Sequence, residues 1–321
     1  MSAVSADGKA LSVSARPSRL SQRTRTQLSY WVMVGPLLLG TIIFSYGPLL
    51  WGIVVSFFES RLRIDLDRFV GFGNYEYVLT NQAFQKSLVT VVLFAAFIVP
   101  TTYILAMLLA VLVQNAAFGK SFFRTVFFMP TAISYVVASL IWRMSIFNGL
   151  PYGVANQILW IFKAQPIAWI GLAHPPVYWL VLVSVRLWLQ LGFQMILIIA
   201  AMQDIPVELY EAARVDGAES KWLLFRFVTF PLLRNISVFL ILLNIIHAFN
   251  AFAEFYNILG GTMSSSGMMS LARPPLVWLF QVAMSEQRYG VASAGGVIVG
   301  ILIILATVIQ NKISGGLGRE I

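Results

Sequence analysis

The run SLVTVVLFAAFIVPTTYILAMLLAVLV, residues 87–113, contains no charged side chain. A helix needs about 20 apolar residues to cross the hydrocarbon core of a bilayer. An ordinary buried strand or core helix of a soluble protein is much shorter than this run. The stretch therefore predicts a transmembrane helix, with a kink at Pro100.

Five other stretches have a similar character. Residues 122–144 are charged only near their ends, and residues 177–202 are interrupted by Arg186. Backbone N–H and C=O groups in lipid must bond within their own segment, so helices are expected rather than strands. The sequence predicts an all-α membrane protein with six transmembrane helices, at residues 30–58, 87–113, 122–144, 177–202, 236–259 and 291–311.

The overall composition supports this interpretation. The chain has 321 residues, of which 59% are hydrophobic and 11% charged, whereas soluble domains are about 25% charged. The net charge of +9 does not indicate nucleic acid, because the basic residues form no dense stripe with aromatics between them. There is no cysteine, which excludes disulfides and thiol nucleophiles. His174 and His247 lie too far apart in sequence to favour a metal site.

The distribution of Lys and Arg predicts the orientation. With the N-terminus inside, the inner segments carry 13 basic residues and the outer loops carry 7. Cytoplasmic loops are enriched in Lys and Arg, so both termini are expected in the cytoplasm. Residues 1–29 are predicted to be a disordered basic tail, residues 30–312 a transmembrane domain, and residues 313–321 a cytoplasmic tail.

The loop at residues 203–234 is longer than a helix hairpin needs. Asp204 suits an N-cap, Pro206 a first helical turn, and Gly217 a left-handed C-terminus. Glu208 places an anion near the positive end of the helix. These signals predict a short helix at residues 206–215, followed by an amphipathic segment at 221–230. From the residues alone, it is equally a docking helix for a partner or an ordinary surface helix.

The same loop carries a long motif: Glu211-Ala212-Ala213, then Asp216-Gly217-Ala218, then Pro231-Leu232-Leu233. With the preceding AAMQDIP at 200–206 and Glu208-Leu209-Tyr210, it resembles the EAA loop of permease subunits of binding-protein-dependent ABC importers. FVGFGNY at 69–75, Phe122-Phe123-Arg124 with Met129-Pro130, and YGVASA at 289–294 resemble the sugar-uptake branch. The resemblance covers residues 30–311. One departure is Gly260-Gly261-Thr262, where the family usually has proline after two glycines.

The resemblance implies the fold of a type I ABC importer permease in a bacterial plasma membrane. It implies that the EAA helix docks into a nucleotide-binding subunit, which assigns ATPase coupling to Glu208, Glu211, Ala212, Ala213, Asp216 and Gly217. Its implied partners are a second homologous permease, two ATPase subunits and an extracytoplasmic solute-binding protein. No cofactor is expected on this chain, since ATP and Mg²⁺ would be used by the partner ATPase.

The chain itself is not expected to bind ATP. Gly119-Lys120-Ser121 imitates the end of a P-loop, but the first glycine of that motif would fall at Gln114. A phosphate cradle also needs a preceding buried strand, and this segment follows a membrane helix.

Polar residues recur on one face of each of two predicted spans. Polar groups in membrane helices normally face a cavity or a partner, and the equivalent helices of the family line the solute cavity. The alternative is that these groups bond the helices together, and Arg186 and Glu254 would then pair. We expect a solute pathway formed by Arg186, Gln190, Phe193, Gln194, Asn244, His247, Asn250 and Glu254.

The leading hypothesis is therefore a permease subunit that forms half of the pathway for a carbohydrate or related polyhydroxylated solute. An ion-coupled secondary transporter is the alternative, with Glu254 as the candidate carboxylate. A membrane enzyme is a weaker rival, because the spans offer no Ser–His–acid set and no paired catalytic carboxylates. Ala292, Gly296 and Gly300 on the last span predict a packing seam, either within the bundle or to a partner subunit.

Overall fold

The computed structural model describes residues 22–171, 174–260 and 272–313. Four continuous apolar stretches are long enough to cross a membrane: Ser29–Val55, Gln82–Gln114, Tyr178–Gln203 and Tyr289–Ile313. They contain α1 (Gln22–Thr41) and α2 (Gly47–Val55), α4 (Gln82–Gln114), α8 (Tyr178–Gln203) and α15 (Tyr289–Ile313). A π-helical turn, Ile42–Tyr46, joins α1 to α2. These are the predicted first, second, fourth and sixth spans.

The other two spans are broken rather than continuous. Lys120–Ala132 and Tyr135–Ile146 meet at 97°, and Lys221–Leu232 and Arg234–Phe249 meet at 69°. The span predicted at residues 122–144 is therefore divided into two helices, because Pro130 lies in a short 3₁₀ turn and Ser134 starts a new helix as its N-cap. If each bent pair is counted as one span, the number of spans is the predicted six.

The third span comprises α5 (Lys120–Phe128), the 3₁₀ turn Met129–Ala132, α6 (Tyr135–Ile141) and the π-turn Trp142–Ile146, and α7 (Val154–Ile161) follows it. The fifth comprises α10 (Lys221–Leu224), the π-turn Phe225–Thr229, α11 (Phe230–Leu232) and α12 (Arg234–Phe249). The helix expected at residues 236–259 is divided, because α12 ends at Phe249 and α13 (Ala253–Leu259) begins after an irregular segment. Gly260 ends α13 with a φ of 103°.

The chain divides into two compact units, residues up to Gly52 and residues from Ile53. The first unit is the apolar helical run of α1 and most of α2. In the second, α4 packs against both α8 and α12, and α14 (Pro275–Met284) packs against α15. α8 approaches α5 so closely that a Cβ at Gly192 would overlap the carbonyl oxygen of Phe127. These contacts make α8 the central element of the second unit.

A small hairpin adjoins the first turns of α15. β1 (Phe58–Glu59) pairs antiparallel with β2 (Arg68–Phe69), and α3 (Gly73–Thr80) follows. The amide of Asn74 donates to the carbonyl oxygens of Ser56 and Phe58, each at 2.9 Å. A Cβ at Gly290 would overlap the Phe58 carbonyl oxygen. The FVGFGNY and YGVASA segments therefore fix one local junction, in which Asn74 supplies donors that the short strands lack.

The predicted small-residue seam on α15 is not closely packed against another described helix of this chain at Gly296 or Gly300. Among the described residues, a Cβ at Gly296 or Gly300 would meet nothing within 4 Å. The close packing of α15 instead involves Gly295, where a Cβ would meet Leu279 and Val78. The within-bundle form of the seam is therefore not found, and the contact to a partner subunit stays a prediction.

Several predicted features fall on residues that the structure does not describe. These are most of the basic tail at 1–29, nearly all of the tail at 313–321, and the Gly261-Thr262 departure from the family pattern. α1 begins at Gln22, so its first turns lie within the segment predicted as a solvated tail.

Candidate functional site

The two polar stripes meet in three successive pairs between α8 and the α12–α13 segment, which we call the polar ladder. Its members on α8 are four residues apart, and their partners run in the opposite direction along the chain. The pairs are Arg186 with Glu254, Gln190 with His247, and Gln194 with Asn244.

The first pair is a buried ion pair. Arg186 Nη2 donates to Glu254 Oε1, and the two side chains are only 6% and 2% exposed. The guanidinium carbon lies 5.5 Å from the ring centroid of Phe94 and 5.3 Å from that of Tyr135. Its Nη1 reaches the backbone oxygen of His247 at 3.4 Å. This set of contacts fixes α13 to α8, with α4 and α6 on the other sides.

The third pair is also closed to solvent. Gln194 Nε2 donates to Asn244 Oδ1 at 2.5 Å, and Asn244 Nδ2 donates back to Gln194 Oε1 at 3.1 Å. Gln194 is 1% exposed and Asn244 is 3% exposed. Each amide satisfies the other, so this pair joins α8 to α12 as an interhelical hydrogen bond.

The middle pair differs because it is open. Gln190 Nε2 lies 3.2 Å from His247 Nδ1 and donates to it in the tautomer that carries its proton on Nε2. His247 is exposed and Gln190 half-buried. Phe193 on α8 is 43% exposed. Asn250 is exposed and donates only to its own helix, at the carbonyl of Ile246. These four residues present an amide, an imidazole, a ring and a second amide to open space.

The interhelical-bonding interpretation describes Arg186, Gln194, Asn244 and Glu254, which lie in buried pairs between helices. Gln190, Phe193, His247 and Asn250 are exposed or half-buried, and their part in a solute pathway stays a prediction. Sequence spacing identified the shared faces, but it could not show which pairs would be closed.

Residues from other helices complete the site, and sequence reasoning missed them. The ring of Tyr135 on α6 lies against the guanidinium of Arg186, with 5.3 Å between the ring centroid and the guanidinium carbon. Trp142 Nε1 donates to Ser184 Oγ at 3.0 Å, and its ring lies 4.9 Å from that of Trp188. No spacing pattern within α6 marks Tyr135, since its role depends on the bend between α5 and α6.

The predicted docking helix is α9 (Val207–Val215), one residue shorter than expected. Its C-terminus closes as predicted. Gly217 has a φ of 94°, and its N–H donates to the Arg214 carbonyl at 3.1 Å while Ala218 N–H donates to the Ala213 carbonyl at 2.8 Å. This is the paired hydrogen-bond pattern of a Schellman motif, which needs a residue with positive φ.

The expected N-cap was wrong. Asp204 is the C-cap residue of α8, with its N–H bonded to the Ala200 carbonyl. Pro206 precedes α9 as the N-cap and makes no side-chain cap bond. Because α8 runs on to Gln203, Asp204 is still held by the preceding helix.

α9 presents an uncovered mixed surface. Glu208, Glu211, Ala212 and Asp216 are exposed, and Ala213 is half-buried. Exposed apolar side chains accompany them: Val207 at 65%, Leu209 at 43% and Val215 at 87%. On its other side, Tyr210 bonds Thr229 at 3.0 Å and anchors α9 to the following segment. An apolar helix face with adjacent carboxylates suits a groove on another subunit.

The segment Gly119-Lys120-Ser121, which imitates the end of a P-loop, lies at the start of α5, after α4. Gly119 has a φ of 70° and is the N-cap residue of α5, and Lys120 and Ser121 are the first two residues of that helix. The preceding element is the long helix α4, whereas a phosphate cradle needs a preceding strand.

Comparison with solved structures identifies the fold. The chain aligns with a chain of a bacterial ABC transporter that imports the acidic polysaccharide alginate, with a TM-score of 0.79 and 20% identity over 93% of this chain and 99% of that one. It also aligns with the bacterial alginate ABC transporter in complex with an alginate pentasaccharide-bound periplasmic protein, with a TM-score of 0.77 and 18% identity over 93% and 98%. The fold is that of an ABC importer permease.

Comparison by sequence adds the family. No family model matches the chain. The multiple sugar-binding transport system permease protein MsmF of Streptococcus mutans serotype c is 32% identical over 291 residues, which cover 89% of this chain and 95% of that protein. The chain belongs to the sugar-type permease subunits of ABC transport systems. It is therefore an integral membrane protein of a class that is not enzymatic by itself.

Proposed function

We propose that this chain forms one half of the pathway through which an ATP-driven importer moves a carbohydrate or related polyhydroxylated solute across a bacterial plasma membrane. The observation that carries the proposal is the open middle pair, Gln190 with His247, between two closed pairs of the ladder. Neutral amide and imidazole groups can form and exchange hydrogen bonds with the hydroxyl groups of a solute, and they do not require the solute to be charged. The similarity to a permease named for multiple sugars and to alginate importers supports this solute class.

The ion-coupled alternative is not favoured. Glu254, its candidate carboxylate, is buried against Arg186. The carboxylate is engaged in the contact that fixes α13 to α8, and both side chains of the pair are almost fully buried. The sequence comparisons also place the chain among ABC permeases rather than secondary transporters.

The assembly we propose contains a second homologous permease, two ATPase subunits and an extracytoplasmic solute-binding protein. The exposed surface of α9 supports an ATPase contact, and the similar alginate transporter forms a complex with a periplasmic protein. ATP and Mg²⁺ would act in the ATPase pair. Closure of that pair would move α9 and switch access to the pathway, while the binding protein delivers solute from outside.

The pathway proposal is tested by alanine at the open pair. Gln190→Ala and His247→Ala should each raise the KM for uptake roughly three- to tenfold, since each removes one hydrogen bond to solute. Uptake by the assembled importer in proteoliposomes, measured over a panel of carbohydrates, gives the KM and the preference among solutes. ATPase copurification should be unchanged.

The matched control is the closed pair. Gln194→Leu combined with Asn244→Leu removes both members of a buried hydrogen-bonded couple, so no partner is left unsatisfied. That double variant should keep the native solute preference. If both single variants and the Gln190→Ala/His247→Ala double variant transport like the native protein, the middle pair only joins helices.

The proposed orientation is tested by single cysteines, because the native chain has none. Arg63→Cys and Glu219→Cys place thiols at exposed positions in two different loops. With both termini cytoplasmic, an impermeant maleimide should label residue 63 in spheroplasts and residue 219 only after permeabilisation. The cysteine-free native chain gives the background. Labelling of residue 219 from outside would reverse the topology.

A further inference from the structure

A cavity lies beside α9, at the ends of α4 and α8, which are the two longest helices of the second unit. It has a volume of about 520 Å³ and is formed by the C-terminal turns of α4 and α8 together with α9, α10 and the π-turn Phe225–Thr229. The polar ladder contributes no residue to it. Its polar lining includes Gln114, Gln203, Tyr210, Arg214, Lys221 and Thr229.

The charge of this cavity is of one sign. Arg214 and Lys221 line it, and its lining contains no carboxylate. Within the part of the chain that the structure describes, neither cation is in an ion pair. The acidic side chains of the same loop, such as Glu211 and Glu219, are not part of the lining. The loop as a whole is mixed in charge, but this cavity is positive.

A third cation, Arg124, contacts the cavity lining from outside through Gln114. Arg124 Nη2 donates to Gln114 Oε1 at 3.0 Å, so the amide oxygen of Gln114 is turned toward the guanidinium. Arg124 Nε is buried and has no hydrogen-bond partner. Tyr210 and Thr229 share one hydrogen bond across the cavity at 3.0 Å. Among the described residues, the lining therefore offers several donors and two cations and contains no carboxylate.

We infer that this cavity binds a phosphate group. Arginine and lysine side chains without ion-pair partners are the groups that recognise phosphate most strongly. The same cavity has apolar walls, including Met202, Ile205 and Phe225, which suit the uncharged part of a phosphoester. Basic pockets at the ends of membrane helices bind anionic lipid headgroups, and a free phosphate or soluble phosphate ester offers the same chemistry.

Occupancy of this cavity would act on α9. Arg214 lies in the last turn of α9, whereas Lys221 is the first residue of α10. A phosphate held by both would bridge the two helices across the Gly217 turn and restrict their relative motion. The inference goes beyond the proposed transport function, since binding of phosphate depends neither on the solute nor on the ladder.

The test uses the full chain copurified with its partner subunits. The double variant Arg214→Gln/Lys221→Gln is compared with native protein and with Arg226→Gln, a matched loss of charge at an exposed residue outside the cavity. Retention of phosphatidylglycerol from phosphatidylcholine nanodiscs is measured by native mass spectrometry. Binding of inorganic phosphate and glycerol 3-phosphate is measured by calorimetry in neutral detergent.

The native protein and Arg226→Gln should bind at least one of these probes with an affinity about tenfold or more above that of the double variant. The charge-conserving variant Arg214→Lys/Lys221→Arg should retain binding, which separates a charge effect from misfolding. Retention of phosphatidylglycerol alone identifies a lipid headgroup as the source, and binding of the soluble probes identifies free phosphate chemistry. Equal binding by the double variant, or no binding of any probe by native protein, overturns the inference.

Discussion

Gly217→Val and Glu211→Lys are expected to leave the membrane helices inserted while uncoupling ATP hydrolysis from transport. Gly217 has a φ of 94°, and the two hydrogen bonds that close α9 depend on that conformation. A β-branched residue in a left-handed conformation costs about 1–2 kcal/mol, which corresponds to a roughly tenfold loss of the closed form. No atom lies within 4 Å of a Cβ at this position, so backbone conformation rather than crowding is the cause within this chain.

Glu211→Lys acts by a different route. Glu211 is exposed on α9, and we propose that its carboxylate meets a basic residue of the ATPase, so that reversal of its charge would place two cations together. Co-elution of the ATPase and solute-stimulated hydrolysis should both fall about tenfold, because like charges across an interface cost several kcal/mol. The readouts are size-exclusion profiles of the copurified complex, ATPase rate with and without solute, and uptake.

Two controls match these changes. Gly217→Asn should be nearly silent, since asparagine tolerates the left-handed region better than any β-branched residue. Glu219→Lys reverses an exposed charge in the same loop but outside α9. If Gly217→Val and Glu211→Lys both copurify fully and show native stimulation and uptake, α9 is a tolerant surface helix and the coupling proposal fails.

The largest effect on stability is expected at the buried ion pair. Glu254→Ala or Arg186→Ala leaves a charge that is almost fully buried without its partner. Removal of one member of a buried pair typically costs about 3–5 kcal/mol, a large share of the roughly 5–15 kcal/mol that stabilises a folded protein. Each single variant should lose most of its monodisperse, folded fraction after extraction. Thermal unfolding midpoints and elution profiles measure the loss.

The double variant distinguishes pairing from a general need for charge. Arg186→Met combined with Glu254→Leu replaces both charges by apolar groups, so it should recover most of the folded fraction. Glu286→Ala is the matched control, because Arg288 and Glu286 form a pair of 3.8 Å in which Glu286 is 52% exposed. Exposed pairs contribute about 0–1 kcal/mol. A Glu254→Ala protein as stable as Glu286→Ala would show that the ion pair does not hold α13 in place.

Much of the architecture could be predicted because it depends on local composition. The long apolar runs, of which only the one in α8 contains a charge, identify the continuous spans. The spacing of Arg186, Gln190 and Gln194 places them on one face of α8. Gly217 was identified as the end of α9 because few residue types accept positive φ. These predictions depend on a residue and its near neighbours in sequence, which a single sequence contains.

The features that were missed depend on contacts between distant segments. The bend at Pro130 brings Tyr135 to Arg186, and no pattern within α6 indicates this. The break after Phe249 sets the register of the Arg186–Glu254 pair, which the sequence offered only as one of two alternatives. Gly192, where α8 touches the α5 backbone, lacks the regular spacing that made Gly296 and Gly300 conspicuous. Close approach is decided by the partner surface, which sequence spacing does not describe.

The length and stiffness of α8 have a mechanical consequence. The helix has 26 residues without a proline, so it is a rod of about 39 Å. Only Asp204, Ile205 and Pro206 separate it from α9, which leaves little slack between them. A displacement of α9 therefore reaches Gln190, about 20 Å away, as a rigid tilt. α12, which carries His247 on the other side of the ladder, is connected to α9 through Lys221–Leu232 and a 69° bend. The same displacement therefore reaches His247 by a bent route. Unequal stiffness of these two routes would shear Gln190 past His247, so that one displacement of α9 would separate the two members of the middle pair.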